Sequence, residues 1–257
     1  MKNIQFFLLA AGHWLRKIIY LTLSLCLGGD ECLVCGRRAL TPLCPSCRDK
    51  RLLTWEGAEG RCKTCGKPLI SEAGLCMECR KREEASPVEL CFPVFSYRLW
   101  MKDLLFAWKT QGVRLLSPLF ARIIAEVIGE NFGDNMVIVP VPPRPGKLRR
   151  KGWDQVEDLC RWLDLAHRMP VLRLLRRRSA VQQKKLTRDE RSRNAQAAYY
   201  VPDSIRDKID RGKIPLPRRV LLLDDVRTTG VTLETCAGAL KALGVERVSA
   251  VALAGVN

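Results

Sequence analysis

Thirteen residues, Val220-Leu-Leu-Leu-Asp-Asp-Val-Arg-Thr-Thr-Gly-Val-Thr232, restrict the possible folds of this chain more than any other stretch. Val220 to Leu223 form a short apolar run, the pattern of a strand buried on both faces of a parallel sheet. Asp224 and Asp225 follow at its carboxyl end, where open α/β sheets bind their ligands. After Thr228-Thr229-Gly230, the apolar periodicity of Val231 to Leu243 predicts a helix. Small residues at a helix start leave backbone N–H groups free, and the helix dipole favours an anion there. Two carboxylates able to accept hydrogen bonds from ribose hydroxyls thus precede, by about one turn, a cradle for a 5′-phosphate. A nucleotide P-loop is excluded, because no Gly-Lys-Ser/Thr follows, and a dinucleotide fingerprint would need three glycines where only Gly230 stands. A plain βα turn with a threonine cap is the alternative, and it leaves the two acids unexplained.

The chain has 257 residues, enough for one large or two modest domains, and its hydrophobic content of 47% is that of a protein with a real core. Its 44 basic and 27 acidic residues give a net charge of +17. So much positive charge repels itself unless it meets polyanions, and one small phosphorylated substrate does not require it. The excess is concentrated: residues 144–193 hold sixteen Lys/Arg against six Asp/Glu. Clustering points to a polyanion-binding face. Arg149, Arg150, Arg176, Arg177, Arg178, Lys184 and Lys185 are the candidate nucleic-acid contacts, with Trp153, Tyr199 and Tyr200 as possible stacking surfaces for single-stranded bases. The plainer reading is a solvated basic loop and core aromatics.

Of twelve cysteines, eight form four Cys-x-x-Cys pairs: Cys32 and Cys35, Cys44 and Cys47, Cys62 and Cys65, Cys76 and Cys79. Each pair offers two soft ligands from one tight turn, which reads as zinc in a reducing, cytoplasmic compartment rather than as disulfides. Two structural four-cysteine sites of a double zinc ribbon are expected, because a segment this short has too few apolar residues for a core of its own. Pairing in chain order is favoured, and a cross-braced arrangement is the rival. Cys26, Cys91, Cys160 and Cys236 stand outside the pattern as small buried residues.

The expected organisation is an amphipathic helix over 1–29, the double ribbon over 30–82 and an α/β domain over 88–257. The first segment is interrupted by His13, Arg16 and Lys17 before it reaches a membrane-spanning length, so it packs on the protein or lies on a membrane surface. Further strands are expected at Phe92–Tyr97, Met136–Pro140 and Arg247–Ala254, with a possible edge strand from Pro170. Helices are expected at Leu99–Thr110, Arg114–Ile128 and Asp154–His167. The Pro-rich loop after Pro140 offers Arg144, Lys147 and Lys151 to a pyrophosphate.

The segment 220–232 resembles the phosphoribosyl-pyrophosphate (PRPP) motif of type I phosphoribosyltransferases. With the cysteine block, the Val139-Pro-Val-Pro loop, Trp108-Lys109-x-x-Gly112, Lys151-Gly-Trp-Asp-Gln155, Gln183-x-x-Leu186 and Arg191-x-x-Asn194 in this order, residues 30–256 resemble the ComF (ComFC) family. That family commonly has Arg-Gly-Phe-Asn-Gln where this chain has Lys-Gly-Trp-Asp-Gln, so Asp154 adds a negative charge beside the pyrophosphate loop. The resemblance implies an α/β fold of the type I phosphoribosyltransferase kind, a parallel sheet flanked by helices, with an N-terminal zinc-ribbon module. It implies a role in DNA uptake during natural transformation, handling single-stranded DNA at the inner face of the membrane beside helicase or channel proteins. It also implies PRPP bound with Mg²⁺. Asp224 and Asp225 would contact the ribose hydroxyls, directly or through Mg²⁺. Arg227, Thr228, Thr229, Gly230 and Thr232 would hold the 5′-phosphate. A metabolic phosphoribosyltransferase with an unknown acceptor and a non-catalytic PRPP-sensing regulator are the alternative functions.

Overall fold

The structure, a computed structural model, describes residues 2–26, 30–55, 57, 59–82, 84–133, 136–178 and 198–256. In chain order, α1 spans Lys2–Cys26, β1 Asp30–Glu31, β2 Arg38–Ala39, α2 Pro45–Cys47, α3 Met77–Arg80, β3 Cys91–Ser96 and α4 Leu99–Phe106. Then come α5 at Ser117–Asn131, β4 Val137–Pro140, α6 Lys147–Lys151, α7 Gln155–Ala166, β5 Arg176–Arg177 and β6 Tyr199–Tyr200. Helix α8 at Asp203–Asp210, β7 at Arg219–Arg227, α9 at Val231–Lys241 and β8 at Arg247–Gly255 complete the described elements.

The apolar run at 220–223 lies in the interior of a four-stranded sheet of order β3-β8-β7-β4. All three pairings are parallel. Side chains alternate across it with the period of two that a strand imposes. Leu221 and Leu223 pack with Ile123 and Ile124 of α5 and Leu159 and Leu163 of α7. Val220 and Leu222 pack with Leu233, Cys236, Ala237 and Leu240 of α9. Both faces are therefore covered, which is why this strand reads as an unbroken apolar run. The sheet is the α/β arrangement expected, parallel and flanked by helices. The edge strand expected from Pro170 is reduced to a single parallel bridge between Val171 and Ile138.

Strand β7 runs past the apolar residues to Arg227, so both acids belong to the strand itself. Its β4 neighbour stops at the Pro140–Leu223 pair, and the last bond across that edge is Val141 N–H to the Leu223 carbonyl, 2.9 Å. The chain leaves β4 through α7 on one face and leaves β7 through α9 on the other. The carboxyl ends of β4 and β7 thus form the topological position at which such sheets receive ligands.

The cysteine-rich segment docks on the other edge, β3. Cys91 N–H donates to the Thr64 carbonyl at 2.8 Å, and the Arg61 guanidinium donates to the Pro93 carbonyl at 2.8 Å while stacking on Phe92 at 4.7 Å. Gly66 has φ 68°, and a Cβ there would lie 2.2 Å from the Cys91 carbonyl oxygen, so glycine is required for this approach. Helix α1 rests on α7 through an edge-on contact of His13 with Trp162, centroids 5.4 Å apart. Its opposite side leaves Ile4, Phe7, Leu8, Trp14, Leu15 and Ile18 exposed. No helix among the described residues is long and apolar enough to cross a membrane.

Candidate functional site

Successive residues of a strand point to opposite faces, so Asp224 and Asp225 part company at the end of β7. Asp225 is 6% exposed and turns to the α7 side. Its Oδ2 lies 2.7 Å from Lys109 Nζ and accepts a hydrogen bond from Gln155 Nε2. Gln155 Oε1 in turn accepts from Lys147 Nζ, which is ion-paired with Asp154 at 2.5 Å. A continuous polar chain, Lys109–Asp225–Gln155–Lys147–Asp154, thus forms at the carboxyl end of β7. Asp154 also caps α7, accepting from the N–H groups of Val156 at 3.0 Å and Glu157 at 3.1 Å. Its charge is satisfied by the α7 amides and Lys147, so it is not the loose negative charge that the sequence comparison suggested.

Lys109 owes its place to the widened last turn that follows α4, Ala107–Gln111, closed by Gly112 at φ 76°. Trp108, fully buried, anchors that turn: its Nε1 donates to Ser117 Oγ at 2.9 Å and its ring meets Trp153 edge-on. Arg114 lies over Trp153 and pairs with Asp158 at 2.9 Å. The Trp-Lys-x-x-Gly and Lys-Gly-Trp-Asp-Gln segments are therefore two halves of one support that aims a lysine and an amide at Asp225.

Asp224 faces the α9 side, where its carboxylate accepts a hydrogen bond from the Asp225 N–H at 2.8 Å. Burial, and then the neighbouring Asp225 carboxylate, raise its pKa well above the ordinary carboxylate range. The fold thus favours protonated Asp224, whereas the unfolded chain ionises it near pH 4. Stability from this residue is fully present below that pH and declines as pH rises towards the raised folded value. The exchange Asp224→Asn is accordingly expected to raise the melting temperature by about 3 °C or more at pH 8 and to have little effect at pH 4. Thermal melts at the two pH values check this, and an equal shift at both would contradict it.

The turn after β7 places Thr228 and Thr229 at the surface, with Gly230 at φ 87° as the residue before α9. No side chain caps this helix, and its first described bond is Glu234 N–H to the Gly230 carbonyl. The N–H groups of Val231, Thr232 and Leu233 precede that bond and belong to the unpaired first turn. Thr232 is half-buried beside them. Arg227 has its guanidinium beside Gly230 of this turn. It is 9% exposed and passes behind Gly230 into a cavity of about 20 Å³ shared with Thr64, Cys65, Cys79, Arg82 and Cys91.

The basic residues divide. Lys147 belongs to the acid chain, and Lys151 is exposed at the far end of α6. Arg144 instead lines a groove of about 520 Å³ with Arg149, Arg161, Arg173, Arg176, Arg177 and Tyr200. The Arg178 guanidinium lies 5.1 Å from the Tyr200 ring at its margin. Arg150 is exposed on α6. Lys184 and Lys185, with Gln183, Leu186, Arg191 and Asn194, lie outside the described residues. Two residues of the acid chain, Lys109 and Gln155, stood in quoted motifs but had no assigned role. Arg161 was missed because helix periodicity gives no warning of a neighbouring loop.

The eight paired cysteines gather in chain order into two clusters, Cys32/Cys35/Cys44/Cys47 and Cys62/Cys65/Cys76/Cys79, with sulfurs within 4.8 Å of one another in each. A tetrahedron with metal–sulfur distances of about 2.3 Å has sulfurs about 3.8 Å apart. The Cys35–Cys44 and Cys65–Cys76 pairs stand at 3.8 and 3.7 Å. Each cluster can therefore hold a zinc ion, bound sequentially rather than cross-braced. Burial opposes ionisation of Cys32 and Cys62, but backbone N–H groups aimed at their sulfurs draw both down to about 6. Burial holds Cys47 up at about 12 and Cys65 at about 11. Burial disfavours the thiolate at Cys47 and Cys65, and a bound metal ion would supply the charge that offsets it.

No protein-family model matches the chain. Among curated proteins it is 25% identical over 237 residues to "Competence protein ComFC" of Streptococcus pneumoniae, covering 87% of this chain and 99% of that protein. It is 26% identical over 202 residues to "Competence protein F" of Haemophilus influenzae, covering 75% and 83%. It is 23% identical over 204 residues to "Competence protein ComFC" of Bacillus subtilis, covering 77% of each.

Proposed function

We propose that this chain, a member of the ComF family by its alignment with three competence proteins, binds PRPP with Mg²⁺ and single-stranded DNA and acts in DNA uptake. The observation that carries the PRPP reading is the carboxyl end of β7, which has a carboxylate on either face and an uncapped helix start beyond it. In this reading Asp224 and Asp225 accept hydrogen bonds from the ribose hydroxyls or ligate Mg²⁺. Thr228, Thr229, Gly230 and Thr232 receive the 5′-phosphate on hydroxyls and main-chain amides. Lys147 and Lys109 border the pyrophosphate end. Magnesium would offset the charge of the pyrophosphate oxygens, and Lys109 would give up part of its hold on Asp225 when the ligand arrives.

The DNA reading rests on the arginine-lined groove at the carboxyl end of β4. Arg144, Arg149, Arg161, Arg173, Arg176 and Arg177 line it with Tyr200 and with Glu157, which pairs with Arg173 at 2.8 Å, while Arg177 lies over the neighbouring Tyr199 ring. Cations that follow a backbone, with an aromatic face for a base, are the usual means of holding single strands without sequence preference. The exposed apolar side of α1, with Lys17 over the Trp14 ring, fits an anionic membrane surface beside such a role.

The DNA reading is tested by fluorescence anisotropy of a labelled single-stranded oligonucleotide at several salt concentrations. The logarithm of the affinity is expected to fall with the logarithm of salt, and Arg176→Ala and Arg177→Ala are each expected to flatten the slope by about 0.7. Salt-independent binding, or slopes unchanged by both exchanges, would remove the DNA assignment.

A further inference from the structure

The Arg227 guanidinium is close to two features, the turn before α9 and the second cysteine cluster. It lies under the turn, where a Cβ on Gly230 would be 3.5 Å from its Nε and 3.6 Å from its Nη2. The cavity it enters is closed by Cys65 and Cys79 of the second cysteine cluster and by Arg82. Arg82 sits between that cluster and α9, where it pairs with Glu234 of the first helical turn. A divalent ion held by four thiolates carries a formal charge of about −2. Three of the four sulfur ligands of this cluster, Cys62, Cys65 and Cys76, belong to buried residues. A buried dianion requires cations close to it. Arg227 is the last residue of β7 and is itself nearly buried, so its charge also needs a partner.

We propose that Arg227 and Arg82 are the outer-sphere cations of the second metal centre, and that through them the bound metal sets the position of the Thr228–Gly230 turn. Both are positioning residues. Arg227 ties the strand end to the metal centre, so the turn keeps its shape only while the centre is filled. The assignment to the metal centre stands independently of what the turn binds. Only its consequence for ligand affinity rests on the PRPP reading.

The test uses full-length, zinc-loaded protein under a limiting concentration of chelator, with alkylation of each cysteine followed by peptide mass spectrometry. Arg227→Gln is expected to speed alkylation of Cys62, Cys65, Cys76 and Cys79 by about 10-fold and to leave Cys32, Cys35, Cys44 and Cys47 at the wild-type rate. Arg227→Lys, which keeps the charge, is expected to restore most of the protection. Arg82→Gln, at a more accessible position, is expected to produce a smaller acceleration confined to the same four residues. Unchanged rates in both glutamine variants, or equal acceleration of both clusters, would overturn the proposal. Adding PRPP with Mg²⁺ gives the second arm. Slower alkylation of the second cluster alone supports coupling to the turn. If wild-type protein binds PRPP by calorimetry without any change in alkylation, the coupling is wrong and the PRPP reading survives. If it binds no PRPP, the alkylation rates of the variants still decide the metal assignment.

Discussion

Stripping the metal from the cysteine clusters at neutral pH is expected to unfold the second ribbon while leaving the central sheet folded. The second cluster has almost no apolar core of its own. Its buried members are the ligands Cys62, Cys65 and Cys76, with only Leu69, Leu75 and Cys79 packed around them. Structural zinc contributes about 10–16 kcal/mol in small modules of this kind, far more than a handful of leucines. The first cluster is different, because Cys32, Leu43, Cys47 and Leu52 merge with Phe92 and Val94 in the main core. Hydrogen exchange is the direct measure. On chelation, the Cys62 and Gly66 amides, now bonded to the Lys67 and Cys62 carbonyls, should lose protection by orders of magnitude. The amides of β7 and β8 should keep theirs. Retained protection at Cys62 and Gly66 would mean that the knuckle holds itself together without metal.

Lys109→Met should be the most damaging single exchange around the acids, because it leaves a carboxylate that is 6% exposed with one neutral partner, Gln155. Breaking a buried ion pair by removing one member costs about 3–5 kcal/mol, since the remaining charge stays buried. The Lys109 side chain is 44% exposed, so part of that energy is already screened by water and a loss of about 2 kcal/mol is expected. The cause can be separated from lost packing by a double-mutant cycle in chemical denaturation. In an Asp225→Asn background the same lysine exchange should cost under about 0.5 kcal/mol, because an amide at that position needs no counter-charge. An undiminished cost in that background would show that the lysine acts through its methylenes.

The parts of the fold that were legible in the sequence are those fixed by local pattern. Val220 to Leu223 could be read because a strand covered on both faces has no polar positions. The cysteine pairs could be read because metal geometry dictates their spacing, and the sequential grouping follows from the sulfurs now seen together. What could not be read depends on partners distant in sequence. Lys109 reaches Asp225 from a turn 116 residues earlier, and only its flanking tryptophan and glycine hinted at a special backbone. Arg227 lies in the middle of the most informative motif, yet it shares a small cavity with a cysteine knuckle that the motif does not mention. Asp154 looked like an electrostatic burden on the pyrophosphate loop, whereas its oxygens are engaged by the start of α7 and by Lys147. Neighbouring acids suggested a side-by-side pair, but the alternation of the strand sends them to opposite faces.

The central claim is that the two acids and the following turn together hold a pentose phosphate. Calorimetric titration of PRPP with Mg²⁺ into wild-type protein and into the Asp224→Asn/Asp225→Asn variant tests it most directly. The account predicts saturable binding to the wild type and an affinity about 100-fold or more weaker in the variant, from the lost carboxyl contacts of both residues, with single-stranded DNA binding unchanged. Equal affinity in the two proteins, or no binding to the wild type, would contradict it.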